Sequence, residues 1–286
     1  MDKTLILRMD GKDLFTYDVE QCDTYKYYNC QYYNIFLRLI RKMKINMLSK
    51  FFFGEWKNKI TNYSTVIVFD NGYASIVTNY IKKKNPKCKI ILWYWNKITQ
   101  YNEKYMSDHN IDEIWSYDMD DCEKYQIRNN SQFYNMNISL DSSQIEYDVC
   151  FLGADKGRRE KIEQCVELFK ENGISFKIII IDKKEIPYEK YLEYVSKSRC
   201  ILEIVNDGVN GLTLRSLESI CFNKKLITNN KSVRKYDFYN KDNIFILGED
   251  DNQNINSFIE RQYSKIEEKV VQYYDFKNWL NRFFMR

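Results

Sequence analysis

Proline and histidine are nearly absent from this chain. Its 286 residues include two prolines, nine glycines and a single histidine, His109. So little proline and glycine excludes a collagen-like, low-complexity or disordered polypeptide, and with 44% hydrophobic residues the chain reads as a compact globular protein. Eight cysteines (22, 30, 88, 122, 150, 165, 200 and 221) never form Cys-x-x-Cys. With one histidine they make no metal-binding pattern, so they read as buried or reduced thiols and no metal site is expected. His109 sits in Ser-Asp-His-Asn, a turn. No run approaches the roughly 18 apolar residues that span a bilayer. The first ten residues carry Asp2, Lys3 and Arg8 around a short apolar stretch, too charged for a secretory signal. The expected location is the cytoplasm. A formal charge of +4 from 44 basic and 40 acidic residues leaves no broad phosphate-neutralising surface, so nucleic acid is not an expected partner.

The apolar residues come in short, nearly continuous runs. Thr4–Met9, Thr65–Phe69, Lys89–Tyr94 and Glu113–Tyr117 read as strands separated by helix-like stretches. Such alternation predicts a parallel sheet covered on both faces, an α/β layer of doubly wound type. The segment from Met136 to Glu146 is polar and reads as a linker. A second series follows: strand Tyr147–Leu152, helix Arg158–Asn172, strand Ser175–Ile181, helix Tyr188–Lys197 and strand Cys200–Val205. Helix Leu212–Phe222 and strands Lys225–Thr228 and Asn243–Leu247 complete it. The expectation is an α/β chain of two doubly wound domains, 1–140 and 141–270, with a cleft between them. Segment 271–286 is expected to be a helix packing back on the first domain.

Ligands of open α/β sheets bind beyond the carboxyl ends of the strands, so the loops there are the places to search. Two stand out in the second domain. Gly153-Ala-Asp-Lys-Gly-Arg-Arg159 joins a strand directly to a helix. Gly153 permits close backbone approach, and Lys156 and Arg158 bring donors to a helix N-terminus, which suits a phosphate. An ordinary βα turn with solvated basic residues is the equal alternative. No Walker A or Gly-x-Gly-x-x-Gly pattern is present. The second loop runs from Asn206 into a helix. At about 100° per residue Gly211, Arg215 and Glu218 share one helix face. Thr213 and the helix N-terminus would donate to phosphate, Arg215 would neutralise it, and Glu218 would accept from a ribose. The alternative makes Arg215 and Glu218 an exposed i,i+3 ion pair.

Asp148-Val-Cys-Phe-Leu-Gly153 with Arg158-Arg159, Gly211-Leu-Thr-Leu-Arg-Ser-Leu-Glu218, Lys224–Asn230 and Tyr236-Asp-Phe-Tyr239 together form a pattern. It resembles the bacterial GT-B glycosyltransferases of lipopolysaccharide and capsular-polysaccharide assembly, which implies an α/β chain of two Rossmann-like domains facing across a cleft, the first for the acceptor and the second for the donor. Ile91–Asn96 and Trp115–Asp118 extend the likeness into the first domain, and Gly211–Asn230 is its specific part. The resemblance implies a nucleotide sugar, UDP-sugar favoured, held by Gly153, Lys156, Arg158, Asn210, Gly211, Leu212, Thr213, Arg215 and Glu218. It also implies transfer to a hydroxyl of a surface glycan or polyprenyl-linked acceptor, without an obligatory metal or other cofactor. Retaining relatives carry two glutamates eight positions apart, and the position eight before Glu218 is Asn210. That departure favours inversion, with a base from the first domain. Asp70 is the first candidate by its place at a strand end, followed by Asp13 and then His109. A degenerate, non-catalytic nucleotide-sugar-binding partner of a glycan assembly system is the main competing reading. A phosphate-binding α/β protein of other chemistry is the third.

The positive charge is concentrated in one place. Between Ile35 and Lys59 stand Arg38, Arg41, Lys42, Lys44, Lys50, Lys57 and Lys59 against Glu55, a net +6 that leaves the rest of the chain slightly acidic. Apolar residues, including Phe51-Phe-Phe53, interleave with them. Residues 35–59 therefore read as a stripe for an anionic membrane surface, peripheral on the inner face of the cell membrane, or as a core helix with snorkelling lysines.

Overall fold

The computed structural model describes residues 3–9, 15–29, 46–71, 75–141, 143–181 and 186–285. Asp13 and the cations Arg38, Arg41, Lys42 and Lys44 lie outside the described residues. The chain divides into two compact units, Met1–Ser131 with Leu280–Arg286, and Gln132–Trp279. The division thus falls ahead of the expected break near residue 140. The polar segment expected as a linker is bonded within the second unit. Met136 N–H donates to Asp275 Oδ1 at 3.2 Å, Ser143 and Ser196 share a hydroxyl bond, and Glu146 pairs with Lys197.

Each unit is a parallel α/β layer of Rossmann-like type. The first has strands β1 (Thr4–Arg8), β2 (Cys22–Lys26), β3 (Thr65–Phe69), β4 (Lys89–Tyr94), β5 (Glu113–Ser116) and β6 (Arg128–Asn129) in the order β2-β1-β3-β4-β5-β6. Helices α1 (Ser75–Lys84) and α2 (Met119–Tyr125) follow β3 and β5. The central strands are buried along their whole length because both faces are covered. Leu5, Leu7, Val66, Val68, Ile90 and Leu92 pack with Val77 and Ile81 of α1. Segment 46–62, built of short 3-10 turns, is fastened to this core by Trp56. Its ring stacks on Phe53 at 5.2 Å and its indole N–H donates to the Tyr27 carbonyl. At the far end of the chain Phe283 sets its ring 4.9 Å from Trp115 and 5.9 Å from Trp93, and Arg282 donates to Asn130 and Ser131.

The second unit has β7 (Tyr147–Ala154), β8 (Phe176–Ile181), β9 (Ser198–Glu203), β10 (Lys225–Thr228) and β11 (Ile244–Ile246) in the order β11-β10-β9-β7-β8. Its helices are α3 (Arg159–Glu171), α4 (Tyr188–Ser196), α5 (Leu214–Cys221), α6 (Ile255–Glu260), α7 (Glu268–Tyr273) and α8 (Phe276–Arg282), the last crossing into the residues counted with the first unit. Ile162, Cys165 and Phe169 of α3 and Ile255, Phe258 and Ile259 of α6 pack on Val149, Phe151, Cys200, Leu202 and Ile227.

In both sheets the second strand lies on one side of the first and the third on the other. The chain reverses its winding between β1 and β3, and again between β7 and β9. Those switch points open a crevice at the carboxyl ends of the strands. Asp70 follows β3 at one of them; Gly153, the penultimate residue of β7, and Glu203, the last of β9, stand at the other.

Replacing Trp56 by Ala removes a fully buried ring, and a loss of about 3–5 kcal/mol in urea denaturation is expected. A loss under about 1 kcal/mol would show that the 46–62 segment does not depend on it.

Candidate functional site

The second switch point is shaped first by a buried acid. Glu203, 1% exposed, closes the apolar strand β9. A carboxylate there must be satisfied by hydrogen bonds. Three hydroxyls donate to it: Thr213 and Ser216 (2.8 Å) to Oε1, and Thr228 (2.5 Å) to Oε2. Thr213 is also the N-cap of α5, its hydroxyl oxygen accepting from Arg215 N–H at 3.1 Å. Capping explains why α5 starts at Leu214, two residues after the expected start. Asn230 Nδ2 donates to the Gly211 carbonyl and Ser232 Oγ to that of Asn210, so the loop before α5 is tied to the residues after β10. Among the described residues, the N–H groups of Leu212, Thr213 and Leu214 make no hydrogen bond.

The strand β7 runs on to Ala154, so Gly153 stands in it and not in the loop. Lys156 and Gly157, at φ +49° and +76°, then turn the chain into α3, the second using the freedom of glycine. This turn aims Arg158 back across the strand ends. Its Nη1 donates to the Ile204 carbonyl at 2.6 Å and its Nη2 to that of Ala154 at 2.8 Å. From the other side Arg215 Nη2 donates to the Leu152 carbonyl at 2.7 Å, and both guanidiniums lie over the Phe151 ring, at 5.5 and 4.8 Å. Gly153 makes room for them. A Cβ there would stand 2.7 Å from Arg215 Nη2 and 3.6 Å from Arg158 Nη2.

Two cations held this close repel each other. Burial and the neighbouring Arg215 push the Arg158 guanidinium below its ordinary value, though an arginine stays charged. Among the described residues neither forms an ion pair with a carboxylate; their donors go to backbone carbonyls, and Arg215 Nε is buried without an acceptor. Converging guanidiniums of this kind beside a helix N-terminus can bind a multiply charged anion through charge-assisted bonds.

The structure thus brings together Gly153, Arg158, Thr213 and Arg215. Lys156 is exposed at the tip of its turn, and its carbonyl accepts from Asn206 Nδ2. Asn210 is exposed, while Gly211 and Leu212 are buried. The hydroxyl proton of Thr213 is committed to Glu203. Glu218 is neither a surface ion-pair partner nor open: it is 2% exposed, and Tyr188 and Tyr191 each donate to one of its oxygens at 2.6 Å. A ribose could reach it only by displacing one of them. Tyr134 continues the chain through a 2.6 Å bond to Tyr188. Burial pushes Glu218 upward against Arg215 and the two phenols, and it pushes all three tyrosines well above their ordinary values. Sequence reasoning passed over Glu203, although a lone acid within the apolar run Cys200–Val205 was its signal. Tyr188 and Tyr191 gave none beyond their helix.

At the first switch point Asp70 is 6% exposed. Its carboxylate accepts from Trp95 N–H at 2.9 Å, Asn102 Nδ2 at 3.2 Å and Asn96 Nδ2 at 3.4 Å, which makes it a clamp on the loop after β4. Burial pushes its carboxyl up to about 6 against those donors. Arg8 lies over the Phe69 and Trp95 rings. His109 is exposed in a turn that the Asp108 carboxylate closes. Among the described residues no three His, Cys, Asp or Glu side chains are grouped to hold a metal, and no helix is long and apolar enough to cross a membrane.

No family model and no curated protein matches the chain. Among solved structures, the NAD+-bound 3-phosphoglycerate dehydrogenase of Entamoeba histolytica is similar over 97% of both chains at 10% identity. Its TM-score is 0.20, too slight a likeness to carry an argument.

Two outcomes follow from this geometry. Gly153→Ala should force Arg215 aside, costing about 1–3 kcal/mol in thermal denaturation and weakening pyrophosphate binding in calorimetry. Undiminished pyrophosphate affinity would show that anion binding does not depend on the glycine. Asp70, protonated more readily in the fold than its ordinary value of 3.8, should make stability fall as pH rises from about 4 to about 6. Asp70→Asn should flatten that slope in urea titrations; an unchanged slope would assign it to another group.

Proposed function

We propose that the chain is a glycosyltransferase of the GT-B class, moving a sugar from a nucleotide diphosphate sugar, UDP-sugar foremost, to a hydroxyl of a surface glycan or polyprenyl-linked acceptor. The observation that carries this reading is the pair of guanidiniums over Gly153, close together and, among the described residues, hydrogen-bonded to backbone carbonyls with no carboxylate in direct ion-pair contact. A diphosphate fits that need, and its negative charge grows as it departs. Arg158, Arg215 and the free N–H groups of Leu212, Thr213 and Leu214 would hold it. On this reading the guanidiniums take the place of a metal ion, so transfer is expected to persist in EDTA.

The proposed stereochemistry is inversion. The acceptor oxygen attacks the anomeric carbon as the bond to the diphosphate oxygen breaks, and a base receives the hydroxyl proton. Asp70 is the proposed base, since a carboxyl raised to about 6 is better matched to neutral pH than an ordinary one. The rate should then climb with pH through about 6, where Asp70 ionises. Asp70→Asn should cut transfer by about 10²–10⁴-fold with donor binding intact, and near-normal turnover would remove it. Its engagement by three donors favours a second reading, a nucleotide-sugar-binding partner without catalysis. Slow hydrolysis of the donor in the absence of acceptor separates the two, because a pure binder shows none.

The same proposal places the protein in the cytoplasm, peripheral on the inner face of the cell membrane. Leu48 and Phe51 are exposed, with Lys50 Nζ 5.4 Å from the Phe51 ring centre, a pairing suited to anionic headgroups.

A calorimetric panel of UDP-, GDP-, CMP- and dTDP-sugars tests the central claim. At least one should bind, and Arg215→Ala should weaken it about 10- to 100-fold, the worth of one or two charge-assisted hydrogen bonds. Binding of none would overturn the proposal. Equal binding of simple phosphates would point to other chemistry.

A further inference from the structure

Beside the guanidinium pair, and unused by the reading above, lies a cavity of about 340 Å³. It is bounded by Cys165 and Leu168 of α3, by Ile204 beyond β9 and Leu247 beyond β11, with Gln164 and Asn252 at its rim. Ile204 belongs to both places: its carbonyl receives Arg158 Nη1 at 2.6 Å, and the residue also lines the cavity. Lys161, also on the wall, follows Arg158 by one turn of α3. An anion held by the two arginines would therefore have this cavity as its immediate neighbour.

The lining decides what chemistry fits. Lys161 is paired with Asp207 at 2.6 Å, so the cavity offers no free cation to a second phosphate among its described residues. Asn229, another wall residue, has both amide atoms bonded to the backbone of Val205. The side-chain amides of Gln164 and Asn252, by contrast, make no hydrogen bond among the described residues. What is left is an uncharged space with apolar walls and two open amides, each able to donate and accept. A sugar ring would press hydroxyls against Leu168, Ile204 and Leu247 with no partners for them. A planar heteroaromatic ring has apolar faces for those walls and a polar edge for the amides. The volume lies near the lower end of small-molecule pockets, about 300–1,000 Å³, which suits one part of a nucleotide sugar rather than the whole.

We propose that this cavity holds the nucleobase of the donor, with its faces against Leu168, Ile204 and Leu247 and its edge read by Gln164 and Asn252. The inference rests on the assignment of Arg158 and Arg215 to the diphosphate, and one experiment keeps the two apart. The full chain is titrated calorimetrically with inorganic pyrophosphate, UDP and GDP. One nucleotide should bind at least about tenfold more tightly than pyrophosphate. Gln164 is exposed on α3, so Gln164→Trp can fill the mouth without disturbing the core, and circular dichroism confirms the fold. That variant should bring the nucleotide down to within about twofold of pyrophosphate, whose own affinity stays unchanged. Gln164→Ala should remove part of the preference. If pyrophosphate binds and neither nucleotide exceeds it, or if the preference survives Gln164→Trp, the nucleobase assignment fails and the diphosphate site stands. If wild-type protein binds none of the three, both assignments fail.

Discussion

The carboxylate of Glu203 is the constraint on which the second unit's site depends. It is an acid at the end of a strand buried at every residue but Arg199, and the three hydroxyls that satisfy it come from three places: the N-cap of α5, the first turn of α5 and the end of β10. By meeting one desolvation requirement the chain fixes the start of α5 against the sheet edge. Arg215 leaves that helix at its second residue, so the position of its guanidinium over Phe151 follows from where the acid is buried. Arg158 arrives independently through the left-handed turn at Lys156 and Gly157. The convergence of two cations is thus enforced by backbone geometry and one buried anion, not by attraction between the cations.

Much of this architecture was legible in the sequence, and the reason is burial on both faces. Strands β3, β4 and β10 have the expected bounds because each is a continuous apolar run in a sheet interior. Strands β2 and β6 escaped notice for the complementary reason. Cys22–Lys26 is a half-exposed edge strand of mostly polar residues, and Arg128–Asn129 is an exposed pair at the opposite edge. Neither carries a hydrophobic pattern; pairing with a neighbour alone makes them strands.

The site was legible in part. Glycine and arginine beside a strand end are a local signal, so Gly153, Arg158 and Arg215 could be found. Depth is not a local signal. Helical spacing put Arg215 and Glu218 on one face, but Tyr188 and Tyr191 of α4 cover that face beyond its first turn, and the glutamate goes under them. Asp70 was found for its position after a strand, whereas its donors at Trp95, Asn96 and Asn102 come from a loop more than twenty residues later.

Tyr134, Tyr188, Glu218 and Tyr191 form one row of oxygens in which each bond fixes the direction of the next. If Glu218 became an apolar residue, two phenols would lose their acceptor at once; if Tyr188 became phenylalanine, Tyr134 and Glu218 would each lose a partner. Such positions cannot drift one at a time. Across related chains, residues 134, 188, 191 and 218 should therefore be inherited as a block, with hydroxyls and acid kept together or exchanged together for an apolar set.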